Sequence, residues 1–160
     1  MNIISEVASH GGMQGVYSHE STACNCDMTF AVFVPPQAVS WLLKRPDPGD
    51  EPSRAKLRGI LSLLDATVGT VRRLAAELGL IVVCPDTSPR GDNVPDEATN
   101  WQMGKGAGFY LDATETPWSQ HYRMYSYITS ELPELIGKNF RTDMGRQGIF
   151  GHSMGGHGAL

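Results

Sequence analysis

The sequence predicts an α/β fold with a mainly parallel sheet, and three observations carry that expectation. Short β-branched or apolar runs alternate with a stretch of three- and four-residue apolar spacing. A glycine placed to end a helix leads into one of those runs, and a glycine-bounded serine stands between a short apolar approach and a string of small residues. Strands that alternate with helices are the pattern of parallel crossovers covered by helices on both faces. With 160 residues, 41% of them hydrophobic and 19% charged, the chain has the size and balance of one globular domain over residues 1–160.

Each element has its own signal. Thr29 to Val34 (TFAVFV) is β-branched and aromatic, is stopped by Pro35 and Pro36, and reads as a strand. A weaker strand candidate follows at Val39 to Leu43. Leu57, Ile60, Leu61, Leu64, Val68, Val71, Ala75 and Leu78 line one helical face, and Gly79 stands where a left-handed residue would end that helix. Leu80 to Cys84 (LIVVC) then reads as a fully buried strand closed by Pro85, and helix followed by strand suggests a parallel crossover.

Asp86 to about Trp118 gathers most of the Gly, Pro, Asn and Asp signals and reads as a long loop of the kind that often carries function. Tyr122, Tyr125, Ile128, Leu132, Leu135 and Ile136 form a second helical stripe, kinked or interrupted at Pro133. Gln147 to Phe150 is expected to lead as a short strand into Gly151.

Composition narrows the function classes. Thirteen Lys and Arg against seventeen Asp and Glu give a net charge of −4, and no stretch interleaves basic and aromatic residues as a phosphate-tracking groove requires, so nucleic acid is not an expected partner. The longest apolar runs fall far short of the roughly 20 residues that span a bilayer. No basic segment followed by an apolar one opens the chain. An odd cysteine count (Cys24, Cys26, Cys84) argues against a disulfide framework, and together these features predict a cytoplasmic protein without membrane attachment.

The chemistry concentrates at Gly151-His152-Ser153-Met154-Gly155, a G-x-S-x-G nucleophile elbow, in which a sharp strand-to-helix turn lifts a serine hydroxyl above the sheet. A side chain two residues before or after the serine would collide with neighbouring backbone, so the turn needs hydrogen there. Ser153 is the candidate nucleophile. The backbone N–H of Met154, at a helix N-terminus, is the candidate oxyanion donor, because it points to where a carbonyl oxygen would gain charge.

These residues and others make the chain resemble the S-formylglutathione hydrolase (esterase D) family of the α/β-hydrolase superfamily. The resemblance runs through His19-Glu20-Ser21, Met28 to Gln37 (MTFAVFVPPQ), Leu74 to Leu80 (LAAELGL), Cys84 to Gly91 (CPDTSPRG), Gly106 to Thr114 (GAGFYLDAT), Pro117-Trp118, His121 to Tyr125 (HYRMY) and Gly151 to Leu160 (GHSMGGHGAL), blocks spread along the chain from residue 19 to residue 160. It implies an α/β-hydrolase-type sheet with flanking helices, and a serine thioesterase that hydrolyses S-formylglutathione to formate and glutathione in formaldehyde detoxification, with carboxylesterase side activity. It also implies that Ser153 is the nucleophile and that the partner is a small-molecule thioester, while the residues themselves show no phosphate loop or cofactor fingerprint, so no cofactor or metal is expected.

The chain departs from the family pattern in two places. The family's catalytic Asp and His lie well beyond the elbow and have no counterpart among these residues, so the expectation is a partial domain that ends just after the elbow, impaired in turnover. The alternative is a noncatalytic half-domain of the family, and open sheet edges would favour association as a homo-oligomer. The second departure is an atypical segment at residues 39–72. It lacks the family's Tyr-Trp-Leu-Ser-Gly-Leu-Thr-Cys motif, whose loop supplies the other oxyanion N–H, and Val39 to Arg73 holds seven Lys and Arg against four Asp and Glu in an otherwise acidic chain.

Other signals have plainer readings. His157 is expected to pack or hydrogen-bond and not to act as a base, and His152 to flank the serine while pointing elsewhere. Cys24-x-Cys26 reads as two side chains on one strand face, not a metal pair. His10-Gly11-Gly12 reads as a turn, Arg90-Gly91-Asp92 as a solvated loop, and Asp86 as a structural acceptor in its turn.

Overall fold

A computed structural model describes residues 1–42, 69–96 and 102–160, so residues 57–68 of the first predicted helix and most of the atypical segment lie outside the described residues. The chain divides into two compact units, one of Met1–Ser18 with Phe30–Cys84 and one of His19–Thr29 with Pro85–Leu160. Four strands form one sheet in the order β1-β2-β3-β4, with β1 at Asn2–Ser9, β2 at Gly12–Ser21, β3 at Cys26–Val34 and β4 at Val82–Pro85.

The first two strands are an addition to the sequence reading. They pair antiparallel from Ser9↔Gly12 outward, through a two-residue turn in which His10 (φ 48°) and Gly11 (φ 74°) are both left-handed. His10-Gly11 is therefore a hairpin turn, and the N-terminal part of the sheet departs from the parallel expectation. β2 (GMQGVYSHES) is largely buried although half of it is polar, which is why no apolar run revealed it.

The strand predicted at Thr29–Val34 begins earlier, at Cys26, and its burial alternates through Cys26, Met28, Phe30 and Val32 before Phe33 and Val34 are buried as well. In the first unit Tyr17 stacks on Phe30, ring centroids 5.7 Å apart, and Tyr17 donates to Glu6 Oε1 at 2.7 Å, so a fully buried phenol keeps a partner.

The strand candidate at Val39–Leu43 is not a strand. Pro36–Leu42 form helix α1, because Pro36 occupies a first-turn position where its missing N–H costs nothing, and Ala38 N–H donates to Pro35 O at 2.9 Å. Residues 69–78 form the described part of the long predicted helix, α2. Gly79 ends it as expected, with φ 69°, and Leu80 N–H returns to Ala75 O at 2.9 Å in a Schellman closure. The strand after it is present at Val82–Pro85 but is not fully buried. It lies at the end of the described sheet, and Leu80 is 51% exposed.

In the second unit, the stretch from Asp86 to Trp118 is irregular where described, apart from an isolated bridge Asp112↔Arg123. The second helical stripe is broken into α3 (Met124–Ser126), a π-helical turn at Tyr127–Glu131 and α4 (Leu132–Asn139). Leu132 N–H reaches Tyr127 O, five residues back, and this widened turn stands immediately before Pro133, which has no N–H to give and whose ring would press on the preceding turn. The extra residue shifts the phase. Met124 and Tyr127 are buried ahead of Leu132 and Ile136, while Tyr125, expected in the stripe, is 59% exposed.

The strand expected at Gln147–Phe150 does not form. No described strand lies beside it to pair its backbone, and Phe150 is 76% exposed. Among the described residues no helix is long and apolar enough to cross a membrane.

Phe30 is 1% exposed, so Phe30→Ala is expected to destabilise the chain by about 3–5 kcal/mol, near the whole stability of a small domain. Chemical denaturation followed by far-ultraviolet circular dichroism measures it.

Candidate active site

The elbow is built by backbone geometry. Ser153 has φ 54° and ψ −121°, a region that side-chain-bearing residues rarely occupy, and it caps helix α5 (Met154–Ala159). His157 N–H donates to Ser153 O and Gly155 N–H to His152 O, each at 3.0 Å, so the turn closes directly into the helix. A Cβ on Gly151 would overlap the Gly155 carbonyl group and meet Gly156 N at 2.7 Å, which is the collision that the sequence pattern implies. On the far side of the serine the expectation differs, because a Cβ on Gly155 would meet nothing within 4 Å.

Ser153 is exposed, and its hydroxyl makes no capping bond to the helix. Met154 is the first residue of α5, where a backbone N–H has no acceptor within the helix. The serine and this N–H are thus adjacent on one helix terminus.

None of the five histidines meets the serine hydroxyl among the described residues. His10 is bonded to Ser9 in the β1–β2 turn, 3.0 Å. His19 is buried, with Nε2 3.2 Å from Tyr127 Oη and Nδ1 3.7 Å from Glu131 Oε1. His121 is buried with Nδ1 3.0 Å from Cys24 O. His152 is exposed beside the serine, and the His157 ring meets Phe109 edge to face, centroids 6.0 Å apart and planes at 87°.

A cavity of about 560 Å³ lies in the same unit, walled by Met103, Ala107, Phe109, Leu111, Trp118 and Tyr122, with Asp96 as its charged member. Phe109 belongs both to this wall and to the contact on His157, one helical turn after Ser153. Tyr122 donates to Pro95 O at 2.6 Å, and burial pushes its phenol up to about 12, with Asp96 adding to the effect. That leaves Tyr122 a neutral wall and donor at ordinary pH, not a base.

The same unit holds a polar hub the sequence did not reveal. Glu131 accepts from Ser21 Oγ (3.1 Å), Thr22 N (3.0 Å), Thr22 Oγ1 (3.3 Å) and Ala23 N (2.7 Å), and so fixes the turn between β2 and β3 onto the π-helical segment. Cys24 lies in that turn and not on a strand, its Sγ 4.0 Å from Met124 Sδ, and burial pushes the thiol up to about 11. Asp86 does act as a turn acceptor, taking Thr87 N at 2.6 Å and Arg90 Nε on both oxygens. Arg90 is thereby tied into its loop. Among the described residues no group of three or more His, Cys, Asp or Glu could hold a metal ion.

With this geometry in view, the comparisons with known proteins are decisive. The Esterase family model matches residues 21–160. The chain belongs to the esterase family. The S-formylglutathione hydrolase of Mus musculus is 48% identical over 98% of this chain and 54% of the mouse protein, and that of Paracoccus denitrificans (strain Pd 1222) is 48% identical with the same coverage. A solved S-formylglutathione hydrolase from Agrobacterium tumefaciens is 60% identical and superposes with a TM-score of 0.80 over 99% of this chain and 55% of that one. The fold is therefore that of the α/β-hydrolases, as the sequence resemblance implied, and the chain spans about half the length of the curated relatives it matches.

Two expected outcomes follow from the site's physics. Burial lowers the His19 pKa below 6.5, against the opposing pull of Glu131. The unfolded chain then binds more protons than the folded one as pH falls through 6.5, so stability is full above that value and declines below it. His19→Gln is expected to flatten the dependence of the thermal midpoint on pH across this window. Gly151→Ala is expected to break the first turn of α5 by collision with Gly155, read as faster amide exchange at Gly155 to His157 with β3 amides unchanged.

Proposed function

We propose that this chain carries the nucleophile of a serine thioesterase that hydrolyses S-formylglutathione to formate and glutathione in formaldehyde detoxification, with side activity on small carboxylic esters. The observation that carries the reading is Ser153 at φ 54° on the N-terminus of α5, in a chain 48–60% identical to S-formylglutathione hydrolases. In this mechanism Ser153 Oγ adds to the thioester carbonyl, the Met154 N–H receives the oxyanion, and the carbon–sulfur bond breaks with the thiolate taking up a proton. Water then releases formate from the formyl-serine. The setting is the cytoplasm, and neither cofactor nor metal takes part.

The addition step needs a base for the hydroxyl proton, and no described imidazole is hydrogen-bonded to Ser153. The 160 residues by themselves are therefore expected to turn over S-formylglutathione on the order of 10⁴-fold or more below the Agrobacterium tumefaciens relative, the scale of losing a triad member. An exposed Phe150, and a Ser153 hydroxyl that meets no imidazole among the described residues, favour a second reading, a noncatalytic member of the family.

Prolonged reaction with a fluorophosphonate, mapped by mass spectrometry, separates the two. Preferential modification of Ser153 over the other serines, abolished in Ser153→Ala, is the expected result. Modification with no preference for Ser153 would leave the noncatalytic reading standing.

A further inference from the structure

The block Gly106 to Thr114 contains a backbone feature that its sequence does not call for. Leu111 N–H donates to Gly108 O at 3.4 Å, closing a four-residue turn whose two central residues, Phe109 (φ 49°) and Tyr110 (φ 56°), are both left-handed. Turns of this kind ordinarily place Asn or Gly at both centres, because only those residues adopt the conformation at little cost. Two consecutive aromatic residues here are a standing strain, and strained residues persist only where their surroundings hold them.

The surroundings do hold them. Gly108 N–H donates to Thr87 O at 3.2 Å, and a Cβ on Gly108 would meet that oxygen at 2.9 Å and Met124 Cγ at 3.1 Å, so the turn sits on its base without slack. On the other side Met124 N–H donates to Leu111 O at 3.2 Å and Ala113 N–H to Tyr122 O at 2.8 Å.

Both strained side chains are spent on the helix that follows the serine. The Phe109 and His157 rings meet edge to face. The Tyr110 ring lies on the backbone of the next residue, Gly158, where an added Cβ would overlap Cδ2 and meet Cγ at 2.7 Å. Two consecutive turn residues thus grip two consecutive residues of α5, whose opening turn presents Ser153.

We propose that Phe109 and Tyr110 are positioning residues, a left-handed aromatic clamp that fixes α5 and thereby the direction of the Ser153 hydroxyl and the Met154 N–H. The proposal rests on the reading of Ser153 as nucleophile for its consequence, but not for the clamp itself. Phe109 also walls the 560 Å³ cavity, so a ligand there would press on the same ring that steadies the elbow helix.

The decisive variant is the double substitution Phe109→Asn with Tyr110→Gly, which suits the turn's backbone and removes both rings. A turn with only a structural role should keep or raise its thermal midpoint and leave α5 unaffected. The clamp predicts an unchanged or higher midpoint together with at least tenfold faster amide exchange at Gly155 to Gly158 and loss of the ring-current shift on the His157 imidazole protons. Exchange and His157 shifts equal to the unaltered chain would overturn the proposal.

If the double variant does not fold, Phe109→Leu keeps apolar bulk without the ring, and the same two readouts decide. Fluorophosphonate labelling supplies the functional arm, where the clamp predicts at least fivefold slower modification of Ser153. If the unaltered chain shows no preference for Ser153, the nucleophile reading fails, while the exchange and shift measurements still judge the clamp.

Discussion

The serine turn is held by what cannot fit around it. Ser153 keeps φ 54° and ψ −121° because the backbone of Gly155 and Gly156 lies where a side chain on Gly151 would stand, so the chain can fold back into α5 only with hydrogen at that position. The local geometry follows from that reversal. It exposes the hydroxyl, starts a helix beneath it, and puts the Met154 N–H beside it. The strain is local, but the restraint is not, since α5 is itself gripped through His157 and Gly158.

The unit that carries the elbow is organised around polar groups as much as apolar ones. Glu131 ties the turn Ser21 to Ala23 to the π-helical segment through four hydrogen bonds, and the widened turn sets which side chains of the following helix face inward. Breaking such a hub would cost the part-buried donors Ser21 Oγ and Ala23 N–H their partner, while the exposed Thr22 donors could turn to water. The buried His19 and Tyr127 sit in the same neighbourhood, stacked with centroids 5.7 Å apart, and both are held toward their neutral forms by burial.

Membership of the esterase family explains the blocks that surround the serine, and the S-formylglutathione hydrolases to which the chain is similar extend to about twice the length it spans. The exposed apolar side chains Ile149 and Phe150 stand immediately before Gly151, on a segment read from sequence as a strand. Extended backbone becomes a strand only when a neighbour takes its hydrogen bonds. Here the described sheet ends at β4, and the approach to the elbow stays unpaired.

The sequence by itself determined the elements whose causes are local. β-Branched and aromatic residues stopped by Pro35 and Pro36 marked most of β3, Gly79 marked the end of α2, and the glycine-bounded serine marked the turn with positive φ, since each depends on a conformational or burial preference of the residues named. Tertiary structure decided what depends on partners far along the chain. The polar strand β2 is buried because it is paired on both sides, α1 replaces an expected strand once Pro36 starts a helix, and a π turn moves Tyr125 outward and Tyr127 inward. The grip of Phe109 and Tyr110 on α5 belongs to the same class, because contacts between residues 109 to 110 and 157 to 158 leave no periodic trace in either segment. A residue's own preferences can be read from its neighbours in sequence, but a contact is chosen by the whole fold, which weighs local strain against burial and hydrogen bonding elsewhere.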